Sequence, residues 1–169
     1  MKNVMVDIET LGSKNGSEII SIGAVRFDKS GVGEGFYTTV DCSELGLNVD
    51  PATLEWWSKQ SPEAQTILTE KRVHYSESFP AFNDFVNDAR LWGFGSTFDN
   101  VQLRIALEKA GIKAKWHYRE DCCFRTLTKI GAHLNLPWVR IGTHHNAYDD
   151  ALSQAVYAVQ IFQKMGIQL

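Results

Sequence analysis

The run Val4-Met5-Val6-Asp7-Ile8-Glu9-Thr10 decides how this chain is read. Apolar Val4, Val6 and Ile8 alternate with Met5, Asp7 and Glu9, and a period of two marks a β-strand. Side chains two apart in a strand share a face, so Asp7 and Glu9 stand side by side. Neighbouring carboxylates oppose each other's ionisation, and a hard cation such as Mg²⁺, which takes oxygen ligands, relieves that repulsion. A polar strand face turned to solvent is the alternative reading of the same alternation.

Outward from this strand, Ile19 to Phe27 and the aromatic, β-branched run Phe36 to Val40 read as two more strands. Asp28, Ser30, Gly31 and Gly33 supply the turn between them. The centre turns helical. Asp50 and Pro51 form a start signal for Thr53 to Gln60, and Ser61 with Pro62 repeats it for Glu63 to Thr69. A further start around Ser78 leads into Phe82, Phe85, Val86 and Ala89 at helical spacing. Leu91 to Phe94 reads as a short buried strand, Ser96 to Ala110 as a helix closed by Gly111, and Trp116 to Cys122 as a weaker strand. Thr126 to Leu134 is expected to be helical, and Asn146 to Lys164 forms a last helix with Ala151, Ala155, Ala158 and Phe162 at helical spacing. The whole chain, residues 1–169, is expected to be a single α/β domain.

The 169 residues carry a formal charge of −3, which argues against binding polyanions by bulk charge alone. Three cysteines, Cys42, Cys122 and Cys123, are an odd count with two adjacent, unlike a secreted disulfide framework. Asp7 interrupts the apolar N-terminal run before a signal core forms, and no apolar stretch reaches the length of a membrane span. The expected setting is soluble and cytoplasmic. Cys122, Cys123, His144 and His145 lack the Cys-x-x-Cys separation of structural zinc sites.

Five more acidic or basic positions enter the argument. Asp99 follows Ser96 by three residues, which resembles a capping box, yet it also lies at a strand-to-helix junction, where α/β sheets commonly place ligands. Asp149 and Asp150 open the last helix, and adjacent helical residues point about 100° apart, so only one of them can face a given metal. Asp150 shares its face with Ala147 and Gln154, and the small Ala147 and Ala151 allow a close approach to the sheet. His144 and His145 precede that helix in a loop, where a neutral imidazole accepts a proton near physiological pH.

The order Asp-x-Glu, a later Asp before a helix, and His-x-Ala-x-x-Asp opening a C-terminal helix resembles the DEDDh family of 3′-to-5′ exonucleases. Thr53 to Ala64 further resembles a subgroup that contains exonuclease A of T-even phages and a mycobacterial exoribonuclease. The resemblance implies a ribonuclease-H-like mixed five-stranded sheet flanked by helices. It implies Asp7, Glu9, Asp99 and Asp150 as the acidic residues and, from the five-residue separation, His145 as general base. It also implies two Mg²⁺ or Mn²⁺ ions per site, with Asp7 bridging both, Glu9 and Asp150 completing the first site and Asp99 supporting the second. Two such ions stabilise the attacking and leaving oxygens of an in-line displacement.

The expected activity is release of nucleoside 5′-monophosphates from nucleic acid with a free, single-stranded 3′ end, DNA ahead of RNA, with a homodimer as a further expectation. A non-catalytic nucleic-acid-binding module is the lower-ranked alternative. An aspartyl-phosphate chemistry at Asp7 would leave His145 and Asp150 unexplained. Phe98 beside Asp99, together with Trp56 and Trp57, is offered as substrate-binding, since base-on-aromatic stacking contributes about 1–3 kcal/mol; core packing is the competing role for the tryptophan pair. The scattered basic residues Lys71, Arg72, His74, Arg119 and Arg125 are left outside the site.

Overall fold

In the computed structural model, which describes residues 1–168, the strands are β1 (Asn3–Thr10), β2 (Ile19–Asp28), β3 (Gly31–Thr39), β4 (Arg90–Gly93) and β5 (Asp121–Cys123). The helices are α1 (Pro51–Trp57), α2 (Pro62–Gln65), α3 (Tyr75–Val86), α4 (Asp99–Lys109), α5 (Phe124–Ile130) and α6 (Ala147–Met165). The sheet runs β3-β2-β1-β4-β5. β1 pairs antiparallel with β2 and parallel with β4, and β4 pairs parallel with β5. Among the described residues no helix is long and apolar enough to cross a membrane.

Alternation along β1 sorts the two layers. Val4, Val6 and Ile8 join the core beneath α3 and α4, with Phe79, Phe82, Leu103 and Leu107. Met5 points the other way, into a core built with Phe124, Ala151, Ala155, Ala158 and Phe162. Asp7 and Glu9 continue the Met5 face past its apolar part, to the carboxyl end of the strand. A register shift between Glu9 and Thr10 interrupts the pairing with β2 there; such bulges redirect side chains at sheet rims.

Alanines let α6 lie directly on the sheet. A Cβ at Gly23 of β2 would come within 2.1 Å of the Ala147 carbonyl carbon, so glycine here is a condition of the helix position. A third apolar cluster of Leu11, Ile20, Trp57, Ala64 and Ile67 seats α1 and α2 at the end of β1. The Trp57 indole N–H donates to the Thr10 carbonyl at 3.0 Å, tying α1 to that end.

Several boundaries differ from the sequence reading. β3 begins at Gly31, because the segment expected as a turn pairs with β2 through Val32 and Gly31. α1 ends at Trp57, and α3 starts at Tyr75 with the His74 side chain accepting the Ser76 N–H. Ser96 does not cap α4: the helix starts at Asp99, whose Oδ2 accepts the Gly95 N–H at 3.1 Å. The strand expected over Trp116 to Cys122 shrinks to Asp121–Cys123, after a 3₁₀ turn at Tyr118–Glu120. Trp116 is drawn into the α3/α4 core, and only three residues of β4 remain to pair. α5 begins at Phe124, directly after β5, and passes into a 3₁₀ turn at Gly131–Leu134.

Candidate active site

Parallel β1 and β4 end on the same side of the sheet, and α4 and α6 begin there. Asp7 and Glu9 come from β1, Asp99 is the first residue of α4, Asp150 lies in the first turn of α6, and His145 sits in the loop before it. All five line one cleft of about 330 Å³. Carboxylate oxygens of Asp7, Glu9 and Asp150 lie within 4.8 Å of one another. Glu9, Asp99 and Asp150 are only 8%, 6% and 8% exposed.

So many acids with so little solvent cannot all stay ionised without cations. Burial, with Asp99, Glu9 and Asp150 nearby, holds the Asp7 carboxyl well above the usual range. Burial and the charges of Asp150 and Asp99 push Glu9 up to about 8. Asp99 rises to about 6 by burial, against the Gly95 N–H and Arg125, which favour its charged form.

Asp150 is held by two donors. Arg140 donates to its Oδ1, and the His145 backbone N–H donates to its Oδ2 at 3.0 Å. Gln154, one turn further along α6, donates from Nε2 to Asp7 Oδ1 at 2.8 Å. The other amide atom, Gln154 Oε1, is buried without a hydrogen-bond partner among the described residues. Buried, convergent oxygens with raised proton affinities are the donor set that hard divalent ions require; the residues present fit such a metal.

His145 is held as a separate unit. Its backbone adopts φ 64, a left-handed conformation uncommon for a non-glycine residue and frequent at functional loops. The ring stacks on His144 at 3.7 Å between centroids and meets the Trp56 ring edge-on at 4.7 Å. Burial and His144 lower its proton affinity, against the opposing pull of Asp150. The result favours a neutral imidazole able to accept a proton.

The loop is pinned by Asp149, which accepts the Thr143 N–H at 2.7 Å. A Cβ at Gly142, where φ is +68, would lie 2.2 Å from the Asp149 carboxyl carbon. Asp149 is thus turned to the loop while its neighbour Asp150 faces the cleft.

The tryptophan pair separates. Trp57 is 1% exposed and packs in the α1/α2 core, whereas Trp56 is 41% exposed. Phe98 stands between the acidic cleft and an adjoining hollow of about 450 Å³ that Trp56, Thr10 and Ser13 also line. The cleft includes Phe94, Trp138 and Arg140, which the sequence reading passed over, and Arg125, which it left outside the site but which lies close enough to Asp99 to favour its charged form. Gln154 was legible by its four-residue offset from Asp150 on one helical face. The other four come from loops or helix ends, where no periodic signal marks them. Cys122 and Cys123 border a different, apolar hollow with Trp92 and Leu127, away from His144 and His145.

This arrangement is a ribonuclease-H-like fold, as comparison with solved structures shows. The nuclease domain of 3′hExo, described as a DEDDh family member bound to rAMP, aligns over 96% of this chain and 92% of its own with TM-score 0.64 and 16% identity. Pop2p of S. pombe, in its Mg²⁺- and Mn²⁺-bound form, aligns over 97% and 82% with TM-score 0.62 and 17% identity. Exonuclease X in complex with 5′ overhanging duplex DNA aligns over 98% and 94% with TM-score 0.58 and 15% identity.

Residues 2–162 match the 3′-5′ exoribonuclease Rv2179c-like domain, and the chain belongs to that family. An exodeoxyribonuclease of Enterobacteria phage T4 is 27% identical over 119 residues, covering 59% of this chain and 52% of the phage protein. The chain therefore matches about half the length of that relative.

Proposed function

We propose that the cleft removes nucleotides one at a time from the 3′ end of a single strand, with Asp7, Glu9, Asp99 and Asp150 holding two Mg²⁺ or Mn²⁺ ions. The observation that carries this reading is the convergence of four acids, three of them almost wholly buried, beside a histidine of lowered proton affinity. When bound, the ions would neutralise the carboxylates and stabilise charge on the attacking and leaving oxygens.

The chain's own residues do the rest. Gln154 orients Asp7 through its Nε2–H, and the His145 N–H fixes Asp150. His145 takes the proton of the attacking water as the new P–O bond forms. The bond to the neighbouring nucleotide's 3′-oxygen breaks, and that oxygen takes a proton from solvent. One nucleoside 5′-monophosphate leaves. The terminal nucleoside lies against Phe98 and Trp56 at the adjoining hollow.

RNA leads as substrate, because the family match to an exoribonuclease domain spans residues 2–162. DNA is the second reading, supported by the phage exodeoxyribonuclease. The three cysteines are free, which suits the reducing, cytoplasmic setting proposed for the chain. The test is digestion of end-labelled single-stranded RNA and DNA with Mg²⁺ or Mn²⁺, resolved to single nucleotides. Stepwise shortening from the 3′ end, monophosphate products and silence in EDTA are expected. No mononucleotide from either polymer would refute the proposal.

A further inference from the structure

The cleft also carries side chains to which the reaction described above assigns no role. It carries Phe94 and Trp138, which are 40% and 43% exposed although both rings are large and apolar. Neither ring hangs free. The buried Phe124 ring lies 5.7 Å from Phe94 and 6.2 Å from Trp138, and Tyr157 meets Trp138 edge-on at 5.2 Å. One aromatic row thus runs from the core to the rim of the cleft, with its outer rings already oriented. Such preorganisation lowers the entropy lost on binding.

A guanidinium accompanies these rings. Arg125 lies 5.1 Å from the Phe94 ring centroid, and Arg140, two residues after Trp138, donates to Asp150. Among the described residues these two arginines are the only Arg or Lys side chains lining the cleft, and they line it together with Phe94 and Trp138. Aromatic faces and guanidinium groups in one cleft match what a nucleic-acid strand repeats, bases and phosphates. Bases in a duplex are stacked on each other and closed to such rings, whereas an unpaired tail presents them.

We infer that Phe94, Arg125, Trp138 and Arg140 form a track for the nucleotides upstream of the scissile bond in a single-stranded 3′ tail. The inference rests on the exonuclease reading above and adds a binding subsite: contact with several unpaired nucleotides upstream of the scissile bond, through base faces and phosphates common to RNA and DNA. The terminal nucleoside lies at Phe98, and the preceding nucleotides lie along Phe94 and Trp138.

The test measures initial rates with Mn²⁺ on RNA and DNA oligomers of increasing length, starting from the dinucleotide. In the parent, kcat/KM rises by about tenfold from dinucleotide to tetranucleotide and then levels, the low end of what stacking one base supplies. Trp138→Ala and Phe94→Ala flatten that rise, and Trp138→Phe keeps most of it. Removing one upstream base, by an abasic unit, lowers the parent's rate by a similar factor and adds nothing to the loss in Trp138→Ala, the non-additivity expected of direct partners.

Should the alanine variants not fold, Arg125→Gln carries the test: losing one phosphate contact reduces the slope of log affinity against log salt by about 0.7 on a single strand. A parent that cleaves dinucleotide and tetranucleotide equally well, or variants with the parent's length profile, abasic sensitivity and salt slope, would overturn the track while leaving the exonuclease reading intact. A length effect confined to one polymer would overturn it too, because both polymers share bases and phosphates. A parent that cleaves no oligomer would instead remove the exonuclease reading beneath it.

Discussion

Helix α4 has a hollow at each end, and the larger one is the less reactive. At its C-terminal end a cavity of about 660 Å³ is lined by Arg104, Lys113, Lys115 and Trp116, while the cleft at its N-terminal end is half that size, about 330 Å³. In the larger hollow, Arg104 holds Asp121 in a forked pair at 2.9–3.2 Å and lies over the Trp116 ring, and Lys115 pairs with Asp84. Arg104 and Lys115 are thus matched by carboxylates. In the smaller cleft Asp7, Glu9 and Asp99 crowd together with little solvent and their carboxyl groups hold protons more tightly than usual. Unrelieved charge, rather than volume, separates a site from a hollow.

Breaking the charge cluster gives the largest effect. Asp7→Asn removes the carboxylate central to the proposed metal set and is expected to lower kcat by about 10⁴-fold, taking several kcal/mol of lost electrostatic stabilisation at 1.36 kcal/mol per tenfold; calorimetric titration with Mn²⁺ should show weakened metal binding. His145→Ala lowers kcat by about 10²- to 10³-fold, the range for a general base, with Mn²⁺ affinity retained. Equal loss of metal affinity in both variants would contradict the division of labour.

Gly23→Ala sharpens the comparison without touching an acid. Its Cβ would drive the Ala147 backbone away from the sheet and carry Asp150 with it. Thermal melting should register about 1–3 kcal/mol of destabilisation from overpacking, alongside a loss of turnover larger than stability alone explains.

Proton uptake provides the next test. A carboxyl whose value is raised in the folded state, as Glu9 is from 4.5 to about 8, favours folding fully below its unfolded value. That contribution is lost as pH climbs toward the folded value. In EDTA, the melting temperature attributable to the cluster therefore falls between about pH 5 and pH 8. Mn²⁺ removes the fall, and Asp7→Asn makes it shallower. A parent and Asp7→Asn with superimposable profiles in EDTA would refute the buried-charge account. The smallest effect belongs to the larger hollow: Lys115→Ala breaks an exposed pair and should alter stability by less than about 0.5 kcal/mol, with unchanged exonuclease rates.

The same contrast explains what could be read from the chain alone. Asp7 and Glu9 were legible because a strand's period of two is local. Helical geometry allowed only one of Asp149 and Asp150 to face a given metal, and in the structure Asp150 lines the cleft while Asp149 accepts the Thr143 N–H. Asp99 had a local competitor in the Ser96 cap, and only the packed structure shows its carboxylate receiving the Gly95 N–H instead. Trp56 and Trp57 are adjacent and alike in sequence, yet one ring is exposed and the other fastens Thr10. Strand Asp121–Cys123 and the start of α5 were displaced in the reading because Trp116 and Phe124 are placed by cores on opposite faces of the sheet, not by local preference.

By itself, the order of residues determined the alternating first strand, the alanine-faced last helix and the acids each would carry, since backbone periodicity is set within a few neighbours. Tertiary structure alone decided that Arg140 meets Asp150, that Gln154 reaches Asp7 across 147 positions of chain, and that Phe94 and Trp138 flank one cleft. Those contacts join loops and elements remote in sequence, and their geometry follows from how closely the helices settle on the sheet.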